Sequence, residues 1–97
     1  MKTIKAYKYP KSVNIKDEVY KIKMVNKIKG EESDVLGLCD SGTNTISIVK
    51  TQADRGVLRT FIHEILHAME SEYDFELSHE VVEKLELAIE AFIADNL

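Results

Sequence analysis

The chain reads as an α+β domain in which a small, mostly antiparallel sheet is followed by two helices. Three observations predict this: the apolar period changes near residue 50 from about two to about 3.6, turn-forming runs cut the first half into short pieces, and two long amphipathic stretches close the sequence. Ninety-seven residues make a single domain, 1–97, with strands over about 1–49 and helices over about 51–74 and 78–95.

In the first half, β-branched and aromatic residues alternate with lysines. Ile4 and Ala6 open the pattern, and Pro10 interrupts it and suggests an edge or a bend. Val13 and Ile15, then Val19 to Val25, read as two strands joined at Lys16-Asp17-Glu18. A polar loop from Gly30 to Asp34 leads to Val35–Cys39. The turn-rich run Asp40 to Asn44 then joins that segment to Thr45–Val49, and the pair is expected to form a hairpin.

From Thr51 the period is helical, and Thr51 with Asp54 three residues on suits a helix start. Val57, Phe61, Ile65 and Ala68 form one stripe, widened by Leu58, Ile62 and Met69, that can lie on the sheet. The helix should end around Tyr73 to Glu76, with Ser78 capping the next one. In that last helix Val81, Leu85, Ala88, Ile89 and Phe92 are expected to face inward, and His79, Glu83, Glu86 and Glu90 share the adjacent side. Both helices are expected against the sheet.

Composition narrows the function classes. A net charge of -4 argues against a nucleic-acid partner, which would call for a basic excess. Most lysines precede Ser33 and most carboxylates follow it, a pattern that solvated charge explains. No apolar run approaches a membrane span, and the lone Cys39 permits no intrachain disulfide, so the expected setting is cytoplasmic. Cys39 itself reads either as a small apolar strand residue or as a thiolate near a metal.

His63-Glu64-Ile65-Leu66-His67 carries the chemistry. An H-E-x-x-H run on a helix sets His63 and His67 one turn apart on the same side, where both imidazoles can bind one Zn²⁺ ion, while Glu64 can act as general base on a water. A tetrahedral catalytic zinc takes three protein ligands. Glu70 and Tyr73 stand where an extended H-E-x-x-H-x-x-G-x-x-H pattern would have its glycine and third histidine, so the third ligand is expected from the last helix: His79, Glu83 or Glu86. Tyr73 and His79 are candidate donors to a developing oxyanion.

Thr60 to Ala68, with Gly37-Leu38-Cys39-Asp40 and the strand Thr45 to Val49, resembles the compact zinc metallopeptidase-like proteins common in phages and mobile elements, a form of minimal zincin. The resemblance covers most of residues 12–97 and is most specific in the central forty. It implies zinc held by His63, His67 and, in Val82-Glu83-Lys84-Leu85, Glu83, with Glu64 catalytic. Where such proteins usually have a small residue this chain has Glu86, which keeps Glu86 a rival ligand. The expected function is zinc-dependent hydrolysis of a peptide or protein substrate. An extended peptide is expected to add a strand at the sheet edge near Thr45–Val49. The alternative is a non-catalytic zinc-binding regulatory or interaction module of phage or mobile-element origin, working through a protein partner. The sequence leaves the oligomeric state open.

Overall fold

The structure, a computed structural model, describes residues 7–30 and 34–97. The expected strand at Ile4 and Ala6 lies outside them. Four strands, β1 (Ser12–Ile15), β2 (Glu18–Val25), β3 (Gly37–Asp40) and β4 (Thr45–Val49), precede two helices, α1 (Asp54–Tyr73) and α2 (His79–Asn96). The α+β class stands.

The strands run in the order β1-β2-β4-β3. β1 pairs with β2 and β3 with β4 in antiparallel fashion, but β2 and β4 are parallel, so the sheet is mixed. Lys16 and Asn44 take left-handed conformations (φ 56° and 51°) in the two hairpin connections. Asp40 shapes the second: its Oδ1 accepts from the Gly42 and Thr43 amides at 2.9 and 3.3 Å.

Thr45–Val49 is therefore interior, paired on both sides, and cannot receive an added strand. Among the described residues the edges of the sheet are β1 and β3. Alternation alone could not decide this, because β2 and β4 were brought together by a connection running through β3.

One sheet face is apolar. Ile15, Tyr20, Ile22, Ile46 and Ile48 meet Val57 and Ala68 of α1 in a single buried cluster, with Phe61, Ile65 and Cys39 packed on its flank. The Tyr20 hydroxyl donates to Glu72 Oε2 at 2.6 Å and fixes the end of α1 over β2. The stripe expected on α1 is thus the one that is used, except that Met69 is exposed.

α1 begins later than expected. Its N-cap is Ala53, which offers no side-chain cap, and the Thr51 hydroxyl points instead to the Asn26 carbonyl. Packing of the β4–α1 connection overrides the local capping signal. The helix ends at Asp74 in the left-handed conformation (φ 55°), and Ser78 caps α2 as expected, its Oγ accepting from the Val81 amide at 3.2 Å.

The two helices form an antiparallel hairpin, and α2 packs on α1 instead of the sheet. Its buried residues are Val82, Glu90 and Ala94, while Val81 and Phe92, expected inside, are exposed. α2 is rotated because α1 meets it with Arg55, Arg59 and His63, which draw Glu90 and Glu86 inward. Among the described residues no helix is long and apolar enough to cross a membrane.

Candidate metal centre and active site

α1 turns three different sides to its surroundings, and the motif residues divide among them. His63 and His67 stand one turn apart, with their rings edge to face and Nε2 atoms 3.0 Å from each other. Both rings are held from behind. His63 Nδ1 lies 2.7 Å from Glu86 Oε2, and His67 Nδ1 lies 2.7 Å from Glu70 Oε1.

This arrangement assigns protons. A carboxylate only accepts, so each Nδ1 carries the hydrogen, and in two neutral imidazoles both Nε2 lone pairs then point at the same spot. The two nitrogens thus converge on one place where a single Lewis acid could be held. Zn–N bonds of about 2.0–2.1 Å at a tetrahedral angle put two nitrogens about 3.3 Å apart, so the observed pair fits one zinc ion after a small parting of the rings. A carboxylate on the rear nitrogen of each metal-binding histidine is the usual supporting arrangement.

Glu64 lies toward β3, close to Gly37, and shares its clefts with His63. It is only 7% exposed. Burial pushes its pKa up from the ordinary carboxylate value, and the neighbouring His63 and His67 oppose that rise only in part. Gly37 makes the close fit possible: a Cβ there would stand 2.5 Å from Thr60 Cγ2 and 2.9 Å from Glu64 Oε2. A side chain at position 37 would force Thr60, Glu64 or the edge strand to shift.

Two clefts meet at His63 and Glu64. One, of about 440 Å³, is lined by Val35, Leu36, Gly37, Arg59, Thr60 and Glu86 beside them; the other, of about 380 Å³, by Leu38, Cys39, Ser41, His67 and Ser71. Together they run along β3, the edge strand nearest the motif.

The remaining sequence candidates lie elsewhere. Glu83 Oε1 sits 3.0 Å from His79 Nε2, and both side chains are well exposed, at 56% and 81%. Tyr73 is exposed, with Lys16 Nζ 5.6 Å from its ring centre. Neither Tyr73 nor His79 lines the two clefts. Cys39 faces inward from β3 against the core, and burial first, then the charge of Glu64, pushes its thiol up to about 11, which disfavours a thiolate. Among the described residues no three His, Cys, Asp or Glu side chains are grouped to hold a metal ion; the two imidazoles stand as a pair.

Two contributors were not singled out from sequence. Glu70 lies three residues after His67, on the same helix side, a spacing that could have identified it. Gly37 belongs to the Gly37–Asp40 run that carries the resemblance, but its closeness to α1 depends on sheet order. No protein-family model, curated protein or solved structure matches the chain.

Proposed function

We propose that the protein is a zinc-dependent hydrolase of the minimal zincin type, a metallopeptidase acting on an extended peptide. The observation that carries this is the pair of facing Nε2 atoms beside a buried, pKa-raised Glu64 in a cleft along an edge strand of the sheet. His63 and His67 would hold the ion. Glu83 would complete the set, as the resemblance implies. The antiparallel register is compatible with it: Arg59 meets Glu90 and His63 meets Glu86, and Glu83 lies about one turn nearer the start of α2, in the direction of His67. A change of rotamer away from His79 would turn it inward.

Zinc, when bound, lowers the pKa of a coordinated water to about 7 and polarises a carbonyl. Glu64 takes the attacking water's proton and returns it to the leaving amine. Burial raises its pKa from the ordinary carboxylate value, which favours its keeping that proton between the two steps. The β3 edge offers unpaired backbone groups to an extended substrate next to Glu64, which moves the expected strand-addition edge from β4 to β3. A reducing, cytoplasmic setting goes with this reading, because Cys39 has no cysteine to pair with.

A regulatory zinc module of phage or mobile-element origin is the second reading. What favours it is the exposed apolar face of α2, with Val81 and Phe92 turned outward. Measuring zinc content and then digesting a peptide library separates the two. The hydrolase reading expects one zinc per chain, lost in the His63→Ala, His67→Ala double variant, and cleavage by the parent. A zinc-loaded parent that cleaves nothing moves the assignment to the regulatory module.

A further inference from the structure

We propose that Glu70 and Glu86 are positioning residues that preset His67 and His63 for one cation, and that Glu70 does so by tying His67 to the loop between the helices. The proposal rests on the zinc reading above. Its starting point is that the two imidazoles are anchored to different parts of the molecule. Glu86 reaches His63 from α2, across the helix interface, with 13% of its side chain exposed. Glu70 reaches His67 from one turn further along α1, and its second oxygen accepts from the Leu77 amide at 2.8 Å.

The loop is held around that same residue. The Asp74 amide and the Phe75 amide both donate to the Glu70 carbonyl, the latter at 3.2 Å, where the chain leaves α1 through the left-handed Asp74. Glu70 is thus fixed at both its carbonyl and its carboxylate. It cannot follow a solvent-driven rotamer change without releasing the start of α2. The consequence for His67 is a ring with one tautomer and one direction, Nδ1 donating rearward and Nε2 forward. Glu86 imposes the same on His63. A cation then meets a donor pair whose rotamer freedom is already lost, which is the physical basis of tighter capture.

Linkage follows from the same contacts. If seating of α2 and its loop orders the imidazoles, cation binding must in turn steady the loop, because coupling between two sites is reciprocal. The Leu77 amide reports it.

The experiment titrates the full chain with Zn²⁺ against a chromophoric chelator and repeats it with Co²⁺, whose visible spectrum reports the ligand set. Glu70→Ala and Glu86→Ala are expected to weaken zinc about 10–100-fold each, with the Co²⁺ band shape kept. Glu70→Gln and Glu86→Gln should recover part of the loss, since an amide oxygen still accepts from Nδ1–H. Glu80→Gln, on the exposed side of α2 and paired with Lys84, should change nothing. Hydrogen exchange at the Leu77 amide should slow on zinc addition in the parent and not in Glu70→Ala. Alanine variants that bind zinc within about twofold of the parent, with their helical content intact, overturn positioning while leaving the zinc site standing. A Co²⁺ spectrum that loses a ligand in Glu86→Ala overturns it for Glu86, which would then be a direct ligand. A parent that takes up no zinc at all fails at the earlier step and overturns the zinc reading along with it.

Discussion

Glu64 and Glu90 are both buried carboxylates on the helical hairpin, at 7% and 1% exposure, and they are treated in opposite ways. Burial works to raise the pKa of Glu90, but hydrogen bonds from Arg55 and Arg59 outweigh it and the net shift is downward. Glu90 is a fixed negative charge clamped between two guanidiniums, and it holds α2 onto α1. Among the described residues no guanidinium faces Glu64, and only the imidazoles of His63 and His67 oppose its shift. Desolvation against β3 dominates and its pKa rises. A compensated buried acid stays ionised as a structural joint, whereas one without that compensation has its pKa pushed up by burial. The same chemical group behaves differently on the two helices, and only its neighbours differ.

The largest expected effect, if the proposed hydrolase reading holds, comes from changing Glu64. Glu64→Gln should keep zinc, because the side chain is nearly isosteric and no ligand is lost, and should lower turnover about 10²–10⁴-fold, because an amide cannot take a proton. Cleavage by Glu64→Gln at the parent's rate would remove Glu64 from the chemistry.

Breaking the structural member comes next. Glu90→Ala should destabilise the fold by about 2 kcal/mol, below the 3–5 kcal/mol of a wholly buried pair because both guanidiniums remain nearly half exposed. Chemical denaturation measures it, and zinc uptake by the folded fraction should persist. A change within about 0.5 kcal/mol would show that the arginine–glutamate clamp does not hold the hairpin.

The pH dependence sharpens the contrast by sign. Glu90 has a folded-state pKa below its ordinary value of 4.5, so its stabilising contribution is full above that pH and is lost as pH falls below it. Glu64 has a folded-state pKa above 4.5, so the folded state loses stability as pH rises through the interval above that value. In metal-free protein, Glu64→Gln should therefore be more stable than the parent at neutral pH. Glu90→Gln should be less stable, and its deficit should shrink in acid. Parallel pH profiles for the two variants would refute the distinction.

The smallest effect is a control that touches neither acid. Ser78→Ala removes the Val81 amide's partner at the start of α2 and should cost about 1 kcal/mol with an unchanged pH profile.

Much of the fold was legible because it rests on local periodicity. The switch from period two to 3.6, the Asp40–Asn44 turn, the Ser78 cap and the inward stripe of α1 each depend on neighbours within a few residues, and each matches the structure. The start of α1 was misread because Thr51 looks like part of a cap while the Asn26 carbonyl takes its hydroxyl. The stripe of α2 was misread because hydrophobicity alone ranks Phe92 above Glu90. Arg55 and Arg59 on the facing helix reverse that order.

The sequence by itself determined the α+β class, the helical H-E-x-x-H run and hence the one-turn spacing of His63 and His67, since that spacing is a property of any α-helix. Only the tertiary structure decided what surrounds them. The parallel pairing of β2 with β4 makes β3 the edge strand, Gly37 lets that strand lie against Glu64, and the rotation of α2 brings Glu86 to His63. Those contacts join residues twenty or more positions apart. No periodic pattern carries such pairings, because they follow from burial and charge compensation over the whole domain.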